Sequence, residues 1–422
     1  MKTRLATLIV LAFTAIVPSH AQDLNHYKKI VKELSSSTYQ GRGYARDGVV
    51  KACDFIEDEF RKAGVSAVAL QPFRLDVNTF PNAMKMSVDG HKLEAGTEFV
   101  MREYSPGVHG TFNLYYVDTT NYDSGKMFSD LAKAENKNAF VVCDFKFTYK
   151  HKEDFARLQK RDRCQNAGVI FVWDSPLKFY KAYGEKVVDK PVVWVSKDFP
   201  KDANQVKFNV DNVFLEKYKT NNVIAKINGK RHDKCFVFTA HYDHLGNLGR
   251  DLWFPGANDN ASGTAAIITL ARHYAKTKPE YDMYFIAFSG EDANLRGSNF
   301  FVEHPIFPLE QVKYLFNLDM IGDNNPVQYC EVSKEGEAGF EKMVGINAEN
   351  GFFKSLHKGD LAANSDHYPF AMKGVPCVLF ENENGDAFKN YHTPQDNWEN
   401  AIFDTYEPLF KLIVGFVAES VE

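Results

Sequence analysis

Apolar positions near the start of the chain recur at helical spacing. Leu24, Tyr27, Ile30, Val31 and Leu34 predict a helix over 23–35. A polar turn at 36–43, punctuated by Gly41 and Gly43, leads to a second helix over 48–64. Ala52, Phe55, Ile56 and Phe60 face inward there, and Gly64 is placed to end it. Short extended runs follow from 65 to 101, among them 70–73 and 84–88. From 103 to 214 the text reads as extended runs at 111–117, 139–143, 168–173 and 191–195, with one helix-like piece at 154–167. After Asn222 the rhythm becomes strand, helix, strand. Strands are predicted at 222–227, 235–240, 282–288, 312–318 and 376–380, and helices after Gly263, at 295–303 and at 404–417. This alternation predicts an α/β fold: a doubly wound, mostly parallel sheet flanked by helices, with an inserted smaller module of α+β or β type.

Residues 1–21 follow a different pattern. Lys2 and Arg4 precede an apolar stretch from Leu5 to Val17, and Ser19-His20-Ala21 ends it with small residues. That order is a secretory leader, so the mature chain is expected to begin near Gln22 and to be exported, periplasmic or secreted. The stretch is short of the ~20 apolar residues of a membrane span, and no later segment is long and apolar enough, so no span is expected in the mature chain.

Composition then narrows the partners. The 44% hydrophobic and 25% charged fractions are those of a globular protein, and 422 residues leave room for more than one domain. A net charge of −5 with no long basic run argues against nucleic acid as a partner. The six cysteines are scattered, with no C-x-x-C pair, and read as small buried hydrophobes rather than a disulfide framework or thiolate site.

The chemistry concentrates where strands end. The apolar run 235–240 stops at His241-Tyr242-Asp243-His244, and Asn258-Asp259-Asn260 precedes a helical stretch. The run 282–288 stops at Ser289-Gly290-Glu291-Asp292, and 312–318 stops at Asp319. His392 lies in Tyr391-His392-Thr393-Pro394. Imidazole and carboxylate donors suit zinc. Five of them, His241, Asp259, Asp292, Asp319 and His392, exceed one tetrahedron with an open position and suit two Zn²⁺ ions sharing a carboxylate and a water. Asp259, in the tight loop at a helix start, is the natural bridge. Glu291, beside Asp292, is then the candidate general base. An isolated Glu-Asp pair is usually a solvated loop; ending an apolar strand, this pair needs cations nearby. His244 and His367 read as supporting or packing residues.

Taken together, HYDHLG, GANDNASG, SGED with Gly297-Ser298, NLDMIG, SDHYPF and YHTPQDNW resemble the co-catalytic di-zinc aminopeptidase family, zinc exopeptidases of leucyl-aminopeptidase type. The resemblance spans about 222–417, with Gln40-Gly41-Arg42 similar to an N-terminal turn of the family. It implies His241, Asp259 and Asp319 on one zinc, and Asp259, Asp292 and His392 on the other. It also implies Asp243 as the partner that orients His241, and Tyr391 as a phenol stabilising the oxyanion. The expected organisation is a leader at 1–21, the first part of the peptidase domain at 22–102, an insert resembling a protease-associated domain at 103–214, and the zinc peptidase core at 215–422.

The expected activity is removal of N-terminal residues from peptide substrates, by way of a metal-bridging water and Glu291. A glutaminyl-cyclase-like enzyme and a glutamate-carboxypeptidase-like enzyme share the ligand set. The latter needs a basic pocket, for which Arg42, Arg250 and Arg296 are candidates. A non-enzymatic binding ectodomain would carry a broken ligand set, and this one is intact. Side-chain preference and oligomeric state are not encoded in these patterns.

Overall fold

Residues 235–240 read as one continuous apolar run because both faces of the strand they form are covered. In the computed structural model, which describes residues 20–117, 119–174, 176–180, 185–382 and 388–421, Phe236, Phe238 and Ala240 enter one core and Cys235 and Val237 another. The expected leader lies outside the described residues, apart from its last two, which begin the first helix.

Helices α1 (His20–Leu34) and α2 (Gly48–Lys62) precede strand β1 (Ala67–Thr79). Gly64 ends α2 with φ +94 and its N–H on the Arg61 carbonyl at 3.0 Å. The chain then leaves for a second sheet: β2 (Met84–Val88), β3 (His91–Leu93), β4 (Phe99–Met101), β5 (Val108–Tyr116), β6 (Phe140–Asp144), β7 (Gly168–Trp173), β8 (Val192–Ser196) and β9 (Gln205–Val210). Helices α3 (Ser124–Leu131), α4 (Lys146–Lys150) and α5 (Lys152–Leu158) belong to this module. Its order is β3-β2-β9-β5-β6-β7-β8-β4.

This sheet begins at Met84, ahead of the boundary expected at 103, because β2 to β4 are runs of three to five residues too short to carry a legible period. The helix expected over 154–167 ends at Leu158. The following Gln-Lys-Arg-Asp-Arg offers no apolar face, and Lys190 Nζ takes the carbonyls of Leu158 and Cys164 at 3.0 and 2.9 Å.

The chain returns with β10 (Val213–Ile227), β11 (Arg231–His241), α6 (Gly263–Ala275), β12 (Tyr281–Phe288), α7 (Arg296–Glu303), β13 (Val312–Leu318), β14 (Val327–Val332), α8 (Glu337–Asn350), β15 (Ser355–Gly359), α9 (His367–Ala371), β16 (Cys377–Glu381) and α10 (Tyr406–Glu419). The first sheet runs β1-β10-β12-β11-β13-β16-β14-β15. Its centre, β12-β11-β13-β16, is parallel, with antiparallel pairs at β1-β10, β10-β12 and β14-β16. Helices α1, α2, α6, α8 and α10 bury one face and α7 and α9 the other. The doubly wound, mostly parallel reading is borne out. All six cysteines are free thiols, five of them buried. Among the described residues no helix is long and apolar enough to cross a membrane.

The two modules meet along the loop after β11. Leu245, Leu248 and Phe254 leave the first core and pack into the second. This loop carries the insert to the C-terminal ends of the parallel strands.

Candidate metal centre

Parallel strands that end together deliver their following residues to one place. His241 ends β11 opposite Phe288 of β12, so Glu291 and Asp292, just past Phe288, arrive beside it. Asp319 follows β13, the neighbour on the other side. Asp259 comes from the turn before α6. Gly263 lets that helix lie against β13, since a Cβ there would stand 2.0 Å from the Leu318 carbonyl. His392 arrives from the loop after β16 with φ +57, a left-handed backbone that costs a non-glycine residue about 1 kcal/mol.

These residues converge. His241 Nε2 lies 3.3 Å from Asp259 Oδ1 and 3.2 Å from Asp319 Oδ1. His392 Nε2 lies 3.1 Å from Asp259 Oδ2 and 3.6 Å from Asp292 Oδ1. Asp259 therefore turns one carboxylate oxygen to each histidine. Donors about 2.0–2.1 Å from a tetrahedral zinc stand roughly 3.3 Å from one another, which is the spacing seen here. Glu291 Oε2 is further out, 3.8 Å from His241 Nε2. A cavity of about 180 Å³ is lined by His241, Asp259, Glu291, Asp319, Met320, Asn364, Glu381, Tyr391 and His392.

The electrostatics favour cations. Asp243, Asp259, Glu291, Asp292, Asp319, Asp366 and Asp396 gather with Arg42 and the imidazoles of His241, His244 and His392. Burial pulls His241 towards neutrality, but Asp319, Glu291 and Asp259 outweigh it and hold its pKa well above the usual range. Burial, with Asp319 and Asp292 nearby, raises Glu291 despite the opposing pull of His241. A buried excess of carboxylate is costly unless compensated by cations. The donor chemistry and spacing thus fit zinc.

The surrounding residues hold the donors. Arg42 is fully buried and spends all five guanidinium donors on backbone carbonyls. Nε bonds Tyr242 at 2.8 Å; Nη1 bonds Leu34 and Pro255 at 3.0 and 2.7 Å; Nη2 bonds Gly256 and Asp259 at 2.8 and 2.9 Å. It cannot form a basic specificity pocket. Arg296 is ion-paired with Glu185, and Arg250 is exposed. Asp396 accepts the N–H groups of Asn258 and Asp259 at 2.8 and 2.9 Å. Ser365 Oγ donates to Asp319 Oδ2 at 2.6 Å and accepts from Asn317.

Asp243 is buried beside His241, but its carboxylate is 3.9 Å from Nδ1. The Asp243 backbone carbonyl takes that position at 3.1 Å. The carboxylate instead accepts from Tyr44 Oη at 2.8 Å and Glu291 N at 3.1 Å, and so steadies the Glu291 backbone. His244 Nδ1 lies 2.9 Å from Asp292 Oδ2 and 3.7 Å from Asp259 Oδ1, closer to the donors than its place in the loop implied. His367 faces Glu331 at 3.3 Å, away from the five donors. Tyr391 stacks on His392 at 3.7 Å and lines the cavity. Arg42, Ser365 and Asp396 act through backbone or through another side chain. The SDHYPF and TPQD motifs contain two of them, yet spacing alone does not assign the role.

Residues 222–417 match the model of Peptidase family M28. The match takes in a little under half of the chain. Aminopeptidase YwaD of Bacillus subtilis is 29% identical over 206 residues, 47% of this chain and 44% of that protein. A probable leucine aminopeptidase of Trichophyton verrucosum is 28% identical over 261 residues, 58% of this chain and 68% of that protein. The chain thus spans less than half the length of the first of these relatives. Among solved structures, the zinc aminopeptidase BSAP of Bacillus subtilis superposes with a TM-score of 0.71 at 23% identity, covering 94% of this chain and 95% of that one. A peptidase M28 precursor of Shewanella amazonensis gives 0.66 at 16% identity, covering 96% and 97%. These likenesses show a shared fold over both modules, and the matched stretch 222–417 takes in all five donors and Glu291.

Proposed function

We propose that this chain is a zinc-dependent aminopeptidase that binds two Zn²⁺ ions and removes N-terminal residues from peptides. One observation carries the reading: Asp259 turns its two oxygens to His241 and His392 within a ring of donors at tetrahedral-edge spacing. The match to the M28 model and the aminopeptidase relatives support it. His241, Asp259 and Asp319 would hold one ion and Asp259, Asp292 and His392 the other. Bound there, zinc supplies a Lewis acid for the scissile carbonyl and lowers the pKa of water to about 7.

Glu291 Oε2 takes the proton from the attacking water and returns it to the leaving nitrogen. Its oxygen stands beside the donors without being one of them, 3.8 Å from His241 Nε2. Asp243 fixes the backbone from which Glu291 reaches. The Tyr391 hydroxyl, kept neutral by burial, donates to the oxyanion. We read the insert as a protease-associated-type module that shapes the approach to this site. We also read 1–21 as a leader for export, which predicts a mature N-terminus near Gln22.

Zinc-loaded protein should release leucine from Leu-p-nitroanilide and from free peptides, spare N-acetylated peptides, and stop on chelation. Pyroglutamate from a Gln-initial peptide without leucine release would overturn the reading in favour of a cyclase. Release of C-terminal glutamate alone would do so in favour of a carboxypeptidase.

A further inference from the structure

The cavity at the donors is lined by more than its chemistry needs. Its volume is about 180 Å³. Roughly 150 Å³ suffices for a benzene-sized group, so there is room for one residue rather than a stretch of chain. His241, Asp259, Asp319 and His392 line it as donors, Glu291 as the base and Tyr391 as the phenol. Met320, Asn364 and Glu381 line it too and have no part in that chemistry.

Strand register brings Glu381 there. β13 and β16 run parallel with Leu318 opposite Phe380, and the Asp319 N–H donates to the Phe380 carbonyl at 3.1 Å. Glu381 therefore ends β16 beside the point where Asp319 leaves β13. On its other side it faces Tyr329 of β14, and Gln328 Nε2 donates to its carbonyl at 2.9 Å. The residue is 4% exposed. Asn364 Nδ2 donates to Glu381 Oε1 at 3.4 Å and to Glu331 Oε1 at 2.8 Å. The amide is neutral, so that contact leaves the charge of Glu381 in place. The carboxylates of Asp259, Asp292 and Asp319, with Glu291, match the charge of two Zn²⁺ ions. Glu381 thus adds an anion to the lining beyond what ions and base need, and a buried carboxylate is costly without a cation.

Resting on the aminopeptidase reading, we propose that Glu381 receives the cationic tip of the substrate's first side chain. The chain would favour substrates that begin with lysine over uncharged ones of the same length. A lysine stem is apolar and its ammonium carries three donors. The Met320 thioether suits the stem, and the Glu381 carboxylate, steadied by Asn364, suits the tip through a charge-assisted bond.

The p-nitroanilides of leucine, norleucine and lysine share the leaving group and the α-ammonium. The kcat/KM ratio of lysine to norleucine therefore reads the side-chain charge, and taking it within each variant cancels any general loss of activity. On the zinc-loaded full chain it should be roughly ten- to a hundredfold, the range of a hydrogen bond to a charged group. Glu381→Gln keeps the shape, removes the charge and should bring the ratio to one or below. Asn364→Lys sets a cation beside the carboxylate from an exposed position and should do the same. Glu381→Asp should keep the ratio above one. Free L-lysine should also raise the melting temperature of loaded wild type more than L-norleucine does, a difference that Glu381→Gln should erase. Circular dichroism and zinc content check that each variant is folded and loaded. A wild-type ratio of one or less, a ratio that neither Glu381→Gln nor Asn364→Lys moves, or equal melting shifts from the two amino acids overturns the subsite, while leucine release leaves the aminopeptidase reading standing. If loaded wild type releases nitroaniline from none of the three substrates, the aminopeptidase reading fails and the subsite with it.

Discussion

Replacing Arg42 by lysine tests how the turn bearing Asp259 is held. The guanidinium has five N–H donors, and all five meet backbone carbonyls at 2.7–3.0 Å in a site with no exposure. Lysine offers three donors on a single nitrogen, so at least two of those carbonyls lose their partner. Leaving a buried polar group unsatisfied costs about 1–3 kcal/mol each, which makes the loss roughly 2–6 kcal/mol before water enters. Burial lowers the Arg42 pKa, while Asp259, Asp396, Asp292 and Asp243 support the charge, so lysine keeps the sign of the interaction and loses its geometry. Two of the carbonyls belong to Gly256 and Asp259, so the donor turn should loosen as well. Zinc affinity should fall about 10–100-fold, as for other residues that orient metal ligands. Urea unfolding of metal-free protein and competition with a zinc chelator measure the two effects. Unfolding within about 0.5 kcal/mol of wild type, with unchanged zinc affinity, would refute the role, since that is the range of an ordinary surface substitution.

Three further outcomes follow from the same geometry. Glu291→Gln should keep both ions, measured by metal analysis, and lose about 10²–10⁴ in kcat; near-normal turnover in a loaded variant would remove Glu291 from the reaction. Ser365→Ala deletes the 2.6 Å bond to Asp319 and should weaken zinc binding by ~10-fold with little change in the circular dichroism spectrum. Stability of the chelated protein should fall as pH rises from about 4 to 7. Burial pushes Asp366 and Asp396 up to about 7 from an ordinary 3.8, so in that window the unfolded chain has released protons that the fold retains. Raised Glu291 acts in the same direction and raised His241 continues it above its ordinary 6.5; the lowered His244 opposes it within the window, and the lowered Asp259 and Asp292 titrate below it. Zinc favours the ionised forms, so melts at pH 5 and 7.5 should differ less for loaded protein; a chelated protein that gains stability over that interval would contradict the sign.

Strands β10 to β13 and β16, with helices α6, α7 and α10, were legible in the sequence, whereas β14, β15 and α9 were not. Strands buried on both faces must be apolar throughout, and a parallel sheet aligns its strand ends, so His241, Glu291, Asp292 and Asp319 announce themselves where apolar runs stop. Helix α8 was not legible, because only Phe340, Met343, Ile346 and Asn347 of its fourteen residues are buried and the period is weak. The short strands β2 to β4 were hidden for a like reason. What tertiary structure alone decided is which atoms meet. An arginine in a Gly-Arg turn reads as a candidate specificity charge until five carbonyls, four of them some two hundred residues away, are seen around it. The place of Glu381 in the metal cavity has the same origin, since packing between distant segments leaves no period, spacing or charge run along the chain.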